Sequence, residues 1–94
     1  MELIFEWDEA KEAKNIHKHR INFQEAKTIF NDEAAITSFD ASHSDEENRF
    51  LDIGRSDRGR ILVISYRERG PRIRIISCRT AEPVERRQYE RQNR

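Results

Sequence analysis

The chain has 94 residues, with 18 Lys or Arg against 18 Asp or Glu, 35% apolar and 38% charged. Such a length makes one domain, residues 1–94, with a small core, and no apolar run nears the roughly 20 residues that cross a membrane. A lone cysteine, Cys78, excludes an internal disulfide, and with no signal-like start at Met1–Glu6 it points to a reducing cytoplasm.

Glu2 to Trp7 alternates, with Leu3, Phe5 and Trp7 on one side, which predicts a half-buried strand. Asp8 then caps a helix running to about His19. Its apolar stripe is Ala10, Ala13, Ile16 and, at its edge, His17; Lys11, Asn15, Lys18 and His19 fall on a different, polar face. Asn22 starts a second helix, with Glu25 three residues on and Ile21 and Ala26 as a hydrophobic staple. Phe23, Ala26, Ile29 and Phe30 form its buried face, and Asn31-Asp32 ends it. A short strand is expected over Ala34 to Phe39, then a polar acidic loop over Asp40 to Asn48.

Three strands follow: Arg49 to Arg55, Arg60 to Arg67 and Arg72 to Arg79. Ser56-Asp57-Arg58-Gly59 and Glu68-Arg69-Gly70-Pro71 supply the turns of antiparallel hairpins. Both alternating sets are apolar in Ile61-Leu62-Val63-Ile64, and likewise around Ile73-Arg74-Ile75-Ile76. These read as central strands covered on both faces. Two helices cover one face, so the other needs the last helix or a partner. That helix runs from about Ala81 to Gln92, with Thr80 as cap and Pro83 in its first turn. It is charged almost all round, which makes it a poor lid.

Zero net charge hides a polar arrangement. Residues 1–47 hold five Lys or Arg and 12 Asp or Glu; residues 48–94 hold 13 Arg, no Lys and six acids. Arginine presents a planar fork suited to phosphate and stays charged at any working pH. The second half therefore points to a polyanion, nucleic acid above all, though a solvated charged face explains composition alone equally well.

In order, Phe5-Glu6-Trp7-Asp8, Lys11, Asn15, Lys18-His19, Ile21, Phe23, Glu25-Ala26, Arg49, Ile53-Gly54, Gly59-Arg60, Tyr66, Arg69, Ile73-Arg74-Ile75-Ile76-Ser77, Arg79, Ala81, Glu85-Arg86 and Tyr89 make the chain similar to the BrnT family. These are toxins of bacterial type II toxin–antitoxin pairs. Arg20 stands where the family has glycine at the helix C-cap, and Cys78 where alanine is usual. The resemblance implies an α+β, RelE-like fold: two N-terminal helices on an antiparallel β-sheet, with a C-terminal helix. It implies an RNA-cleaving toxin that halts translation. It also implies a BrnA-like antitoxin with a ribbon-helix-helix domain, in a 2:2 complex that binds operator DNA through the antitoxin.

RNA is cut without metal when the 2′-hydroxyl attacks the adjacent phosphate, given a base, an acid and cations against the transition-state charge. His19 titrates near neutrality and is the leading proton carrier, though it also suits a helix C-terminus. Arg67 and Arg79 are the leading cations. Arg67 shares alternation with Ile61 and Val63, and Arg79 with Ile73 and Ile75, so whether they share a face depends on register. Glu85 and Tyr89, four apart on the last helix, complete the catalytic candidates. Lys18, Arg49, Arg69, Arg74 and Arg86 are candidate RNA contacts. Trp7 and Cys78 read as core residues and Asp8 as a cap. His43 with Asp40 and Asp45 is the one mixed-ligand cluster, in a loop; no metal or cofactor is expected. The competing class is a non-catalytic RNA- or ribosome-binding module with the same arginine face.

Overall fold

The computed structural model describes residues 2–40, 42 and 48–93; His43 and Asp45 of the loop cluster lie outside them. Alternating Ile4–Trp7 forms β1, and Asp8 ends it by turning its carboxylate onto the amides of Ala10 and Lys11, at 2.8 and 3.1 Å. That cap opens α1, Glu9–His19. Arg20 then adopts φ 60° and ψ 33°, the left-handed conformation that glycine takes at no steric cost. The turn thus survives the arginine. Asn22 caps α2, Phe23–Lys27, by accepting from the Glu25 amide, and the chain tightens into a 3₁₀ turn over Thr28–Asn31. Strands β2 (Ile36–Phe39), β3 (Arg49–Arg55), β4 (Ile61–Arg69) and β5 (Arg72–Thr80) precede α3, Pro83–Gln92.

The strands form one sheet in the order β1-β5-β4-β3-β2. It is antiparallel except at β1, which pairs parallel to β5. On one face Leu62, Ile64, Tyr66, Ile73, Ile75 and Cys78 pack against Ile21, Phe23, Ala26 and Ile29. Phe5 and Trp7 close this layer, with Trp7 edge-on to Phe23 at 5.9 Å. Gly54 lies on the same face, where a Cβ would stand 2.5 Å from Ile29 Cγ2, so only glycine lets the 3₁₀ turn approach.

The opposite face carries Ile61 and Val63 under Ala81 and Tyr89, with Ile36, Leu51 and Ile53 beside them. The last helix is therefore a lid after all. One buried aromatic, Tyr89, suffices, because its ring fills the contact and its hydroxyl is tied down: it donates to Asp32 Oδ2 at 2.6 Å. Asp32 also accepts from the amides of Ala34 and Arg55.

Helix α1 packs by a face opposite to the one its apolar pattern predicts. Ala10, Ala13, Ile16 and His17 are exposed, and Asn15 is the buried residue. The reason is the edge it covers. β1 pairs with β5 only as far as Trp7 and Ile75, so beyond that point the outer edge of β5 has no strand beside it. Asn15 supplies the missing partner. Its amide nitrogen donates to the carbonyls of Cys78 and Ile21, both at 2.9 Å, and its oxygen accepts from the Cys78 amide at 3.0 Å. At a bare strand edge a side-chain amide satisfies what apolar area cannot.

Candidate active site

A bulge decides which arginines meet. In β5, Ser77 pairs with Ser65 but Ile75 pairs with Tyr66, leaving Ile76 as the extra residue. Strict alternation would place Arg79 on the core face with Ile73 and Ile75. The bulge reverses that: Arg79 pairs with Val63 and Arg74 with Arg67, all on the α3 face. Register therefore brings Arg67, Arg74 and Arg79 to one side of the sheet.

Arg79 is held there by α3. Its two terminal nitrogens donate to Glu85 Oε1 and Oε2 at 2.7 and 2.8 Å, a two-pronged contact. Glu85 Oε1 also accepts from the Glu82 amide at 2.8 Å, so the same carboxylate satisfies the first turn of α3. The Arg79 hydrogen bond holds the Glu85 carboxyl below its ordinary range. Glu85 thus stays ionised and fixes a guanidinium in orientation.

His19 ends α1 and faces β5 at Ile76-Ser77, two residues before Arg79. Burial, then the nearby Lys18 and Arg79 cations, push its pKa below the ordinary histidine value. It lines a cavity of about 380 Å³ in which Lys11, Lys14 and Lys18 form the basic wall and Ile76-Ser77, at the bulge, the other. Between the Arg79 row and the Arg67–Arg74 row, a cross-strand row runs over the sheet face: Ser77, Ser65 and, beyond Leu51, Ser38. Ser65 Oγ is buried without a hydrogen-bond partner.

A second cavity, about 280 Å³, lies farther along β5 and is lined by Arg67, Arg69, Arg72, Arg74 and Glu6. Arg49 stands in the same cross-strand row as Arg67 and Arg74 and is paired with Asp40 at 3.2 Å.

The candidates therefore separate. His19, Lys18, Arg79 and Glu85 gather at the α1–β5–α3 junction, while Arg67, Arg69, Arg74 and Arg49 gather at the far end of the same face. Tyr89, one turn after Glu85 on α3, is buried with its hydroxyl on Asp32 and the Arg55 guanidinium 5.9 Å over its ring, so it seats the lid rather than facing a substrate. Arg86 is exposed on α3. Arg72 and Glu6 are not among the site residues that the sequence suggests; the β1–β5 pairing that brings them together is parallel and long-range.

Other charged groups are structural. Arg60 pairs with buried Glu25 through Nε, at 2.9 Å, and through Nη2, and Ser56 donates to the same carboxylate at 2.7 Å. Tyr66 donates to Asp52 at 2.7 Å in the core, and burial pushes the Asp52 carboxyl up. Burial pushes the Cys78 thiol up to about 12, far from a working nucleophile. Among the described residues, no three His, Cys, Asp or Glu side chains group as metal ligands would, and no helix is long and apolar enough to cross a membrane.

A family model described as "Ribonuclease toxin, BrnT, of type II toxin-antitoxin system" matches residues 7–85. The fold is similar to the crystal structure of the Brucella abortus ribonuclease toxin BrnT, with 25% sequence identity and a TM-score of 0.64. The match covers 87% of this chain and 97% of that one. No curated protein sequence matches the chain significantly.

Proposed function

From the premise that the chain belongs to the BrnT family, ribonuclease toxins of type II toxin–antitoxin systems, we propose that it cuts RNA by metal-independent attack of the 2′-hydroxyl. The observation that carries this reading is the two-pronged grip of Glu85 on Arg79, with His19 lining the cavity at the Ile76-Ser77 bulge of the same strand. A histidine biased toward its neutral form takes the 2′-hydroxyl proton. The 2′-oxygen then bonds to the adjacent phosphorus, the bond from phosphorus to the 5′-oxygen breaks, and that oxygen takes a proton from water. Arg79 is pre-oriented by Glu85 against the charge that grows on the phosphoryl oxygens, and no reorganisation is needed at the moment of reaction. Lys18 binds an adjoining phosphate. Glu85 acts through Arg79 as a positioning residue, and Tyr89 through its seat on Asp32 keeps α3, and so Glu85, in place.

Arg67, Arg69 and Arg74 extend the cationic face for flanking RNA. Its antitoxin, in this reading a BrnA-like ribbon-helix-helix protein in a 2:2 complex, covers that face and the exposed Leu3, Ile4 and Val84. Incubation of the purified protein with RNA in excess chelator tests the chemistry. The expected products carry 2′,3′-cyclic phosphate ends. Cleavage abolished by chelator and restored by a divalent ion would overturn it, and binding without cleavage would favour a non-catalytic RNA-binding module.

A further inference from the structure

Five arginines on one sheet face stand directly opposite one another. Arg49, Arg67 and Arg74 form one cross-strand row, and Arg69 and Arg72 form the next. Like charges directly opposite on adjacent strands destabilise a sheet. Among the described residues, the four at β4 and β5 share their cavity with one carboxylate, Glu6. Glu6 accepts from Arg74 at 2.9 Å and from Arg72 at 3.4 Å, and the Arg74 hydrogen bond holds its carboxyl below the ordinary range. Glu6 thus sits as an anion shared between the Arg72 and Arg74 guanidiniums, and it is only half-buried.

We propose that this cavity is a second phosphate subsite, for the backbone of single-stranded RNA several nucleotides from the cut, and that Glu6 is its gate. The idea rests on the ribonuclease reading for its ligand. Continuity argues for RNA over an acidic peptide: Arg74 and Arg79 lie on the same strand and, through the bulge, on the same face. From Arg67 to Val63, the partner of Arg79, is four residues of β4, about 13 Å. That is up to about four stacked nucleotides. An RNA phosphate enters by taking Arg72 and Arg74 from Glu6. Short RNA reaches His19 and Arg79 alone; longer RNA engages both sites.

The test uses uncleavable 2′-O-methyl RNA, as a dinucleotide and as an octamer, with affinity followed across a salt series. Because nothing is cut, failure here is separate from failure of the cleavage chemistry. Glu6→Gln is expected to tighten octamer binding up to about fivefold, the worth of one exposed ion pair released, and to leave the dinucleotide unchanged. Arg72→Ala and Arg69→Ala are expected to weaken the octamer only and to lower its salt slope by about 0.7 each. These positions are exposed or half-buried, and a thermal melt on each variant shows that it is folded. Equal effects on both lengths would overturn the subsite in favour of general charge. No effect on either would also overturn it, and would leave the antitoxin as the occupant, seen as altered antitoxin affinity in the same variants.

Discussion

Arg79 earns its place through two atoms on each side of one contact. A lysine there keeps the charge but meets one oxygen of Glu85 instead of two, and its head is free to rotate. Arg79→Lys is therefore expected to retain the fold and lose most RNA cleavage, with Arg79→Ala losing it all. Full cleavage by a folded Arg79→Ala protein would remove Arg79 from the mechanism. For His19 the sign follows from its environment. A histidine pKa below 6.5 keeps the base neutral into mild acid, so the acid limb of the kcat/KM profile should fall below that value. Lys18 contributes to the depression, so Lys18→Gln should move the limb upward toward 6.5. A limb that ignores Lys18 would point to another base. His19 and Arg79 were both readable as candidates from residue type. The face on which Arg79 lies was not, because it depends on Ile76, and nothing in Ile75-Ile76-Ser77 marks a bulge: there is no glycine or proline to signal the extra residue.

At the scale of elements, β3 was legible to the residue because the apolar Phe50, Leu51 and Ile53 run into a polar turn ended by Gly59. The Asn22 cap was legible for the same kind of reason, a local rule with a local cause. Helix α1 was not. An apolar-stripe argument asks which side chains seek burial; α1 packs where a strand edge lacks hydrogen-bond partners. Asn15→Ala leaves one amide and two carbonyls unpaired, which should lower the unfolding free energy by about 3 kcal/mol. Asn15→Leu, closer in size, should not restore it. A urea unfolding midpoint unchanged by either substitution would mean that water replaces the side chain there. The third helix was misjudged by the same route, since its charge count was averaged over every face while Tyr89 alone does the covering.

For the whole molecule, the division into an acidic first half and an arginine-rich second half was read as a surface for a polyanion. The fold uses much of it internally: Glu6 with Arg72 and Arg74, Glu25 with Arg60, Asp40 with Arg49. What remains for a ligand was set by register, which a charge count does not contain. The internal pairs make stability depend on acid. Arg60 holds the Glu25 carboxyl below 4.5 in the folded chain. Its contribution is complete above the unfolded value and fades as pH falls through the folded one. Urea midpoints should therefore drop below pH 4.5. Glu25→Gln should cost about 2 kcal/mol at neutral pH, less than the roughly 3–5 kcal/mol of a fully enclosed pair, because Arg60 is partly exposed. It should also flatten the acid loss; an equally steep decline in that variant would assign the effect to other carboxylates.

The strand order has a consequence for biosynthesis. β3, β4 and β5 form a meander made wholly by the arginine-rich half, and both of its edges are closed by strands from the other half, β1 on β5 and β2 on β3. Synthesis runs from the N-terminus. By the time the meander leaves the ribosome, itself a mass of RNA phosphate, its edge strands and several of its counter-charges are already outside. The first half of the chain thus serves as an escort for the second, meeting each raw edge and several of the arginines before another chain, or the ribosome that made it, does.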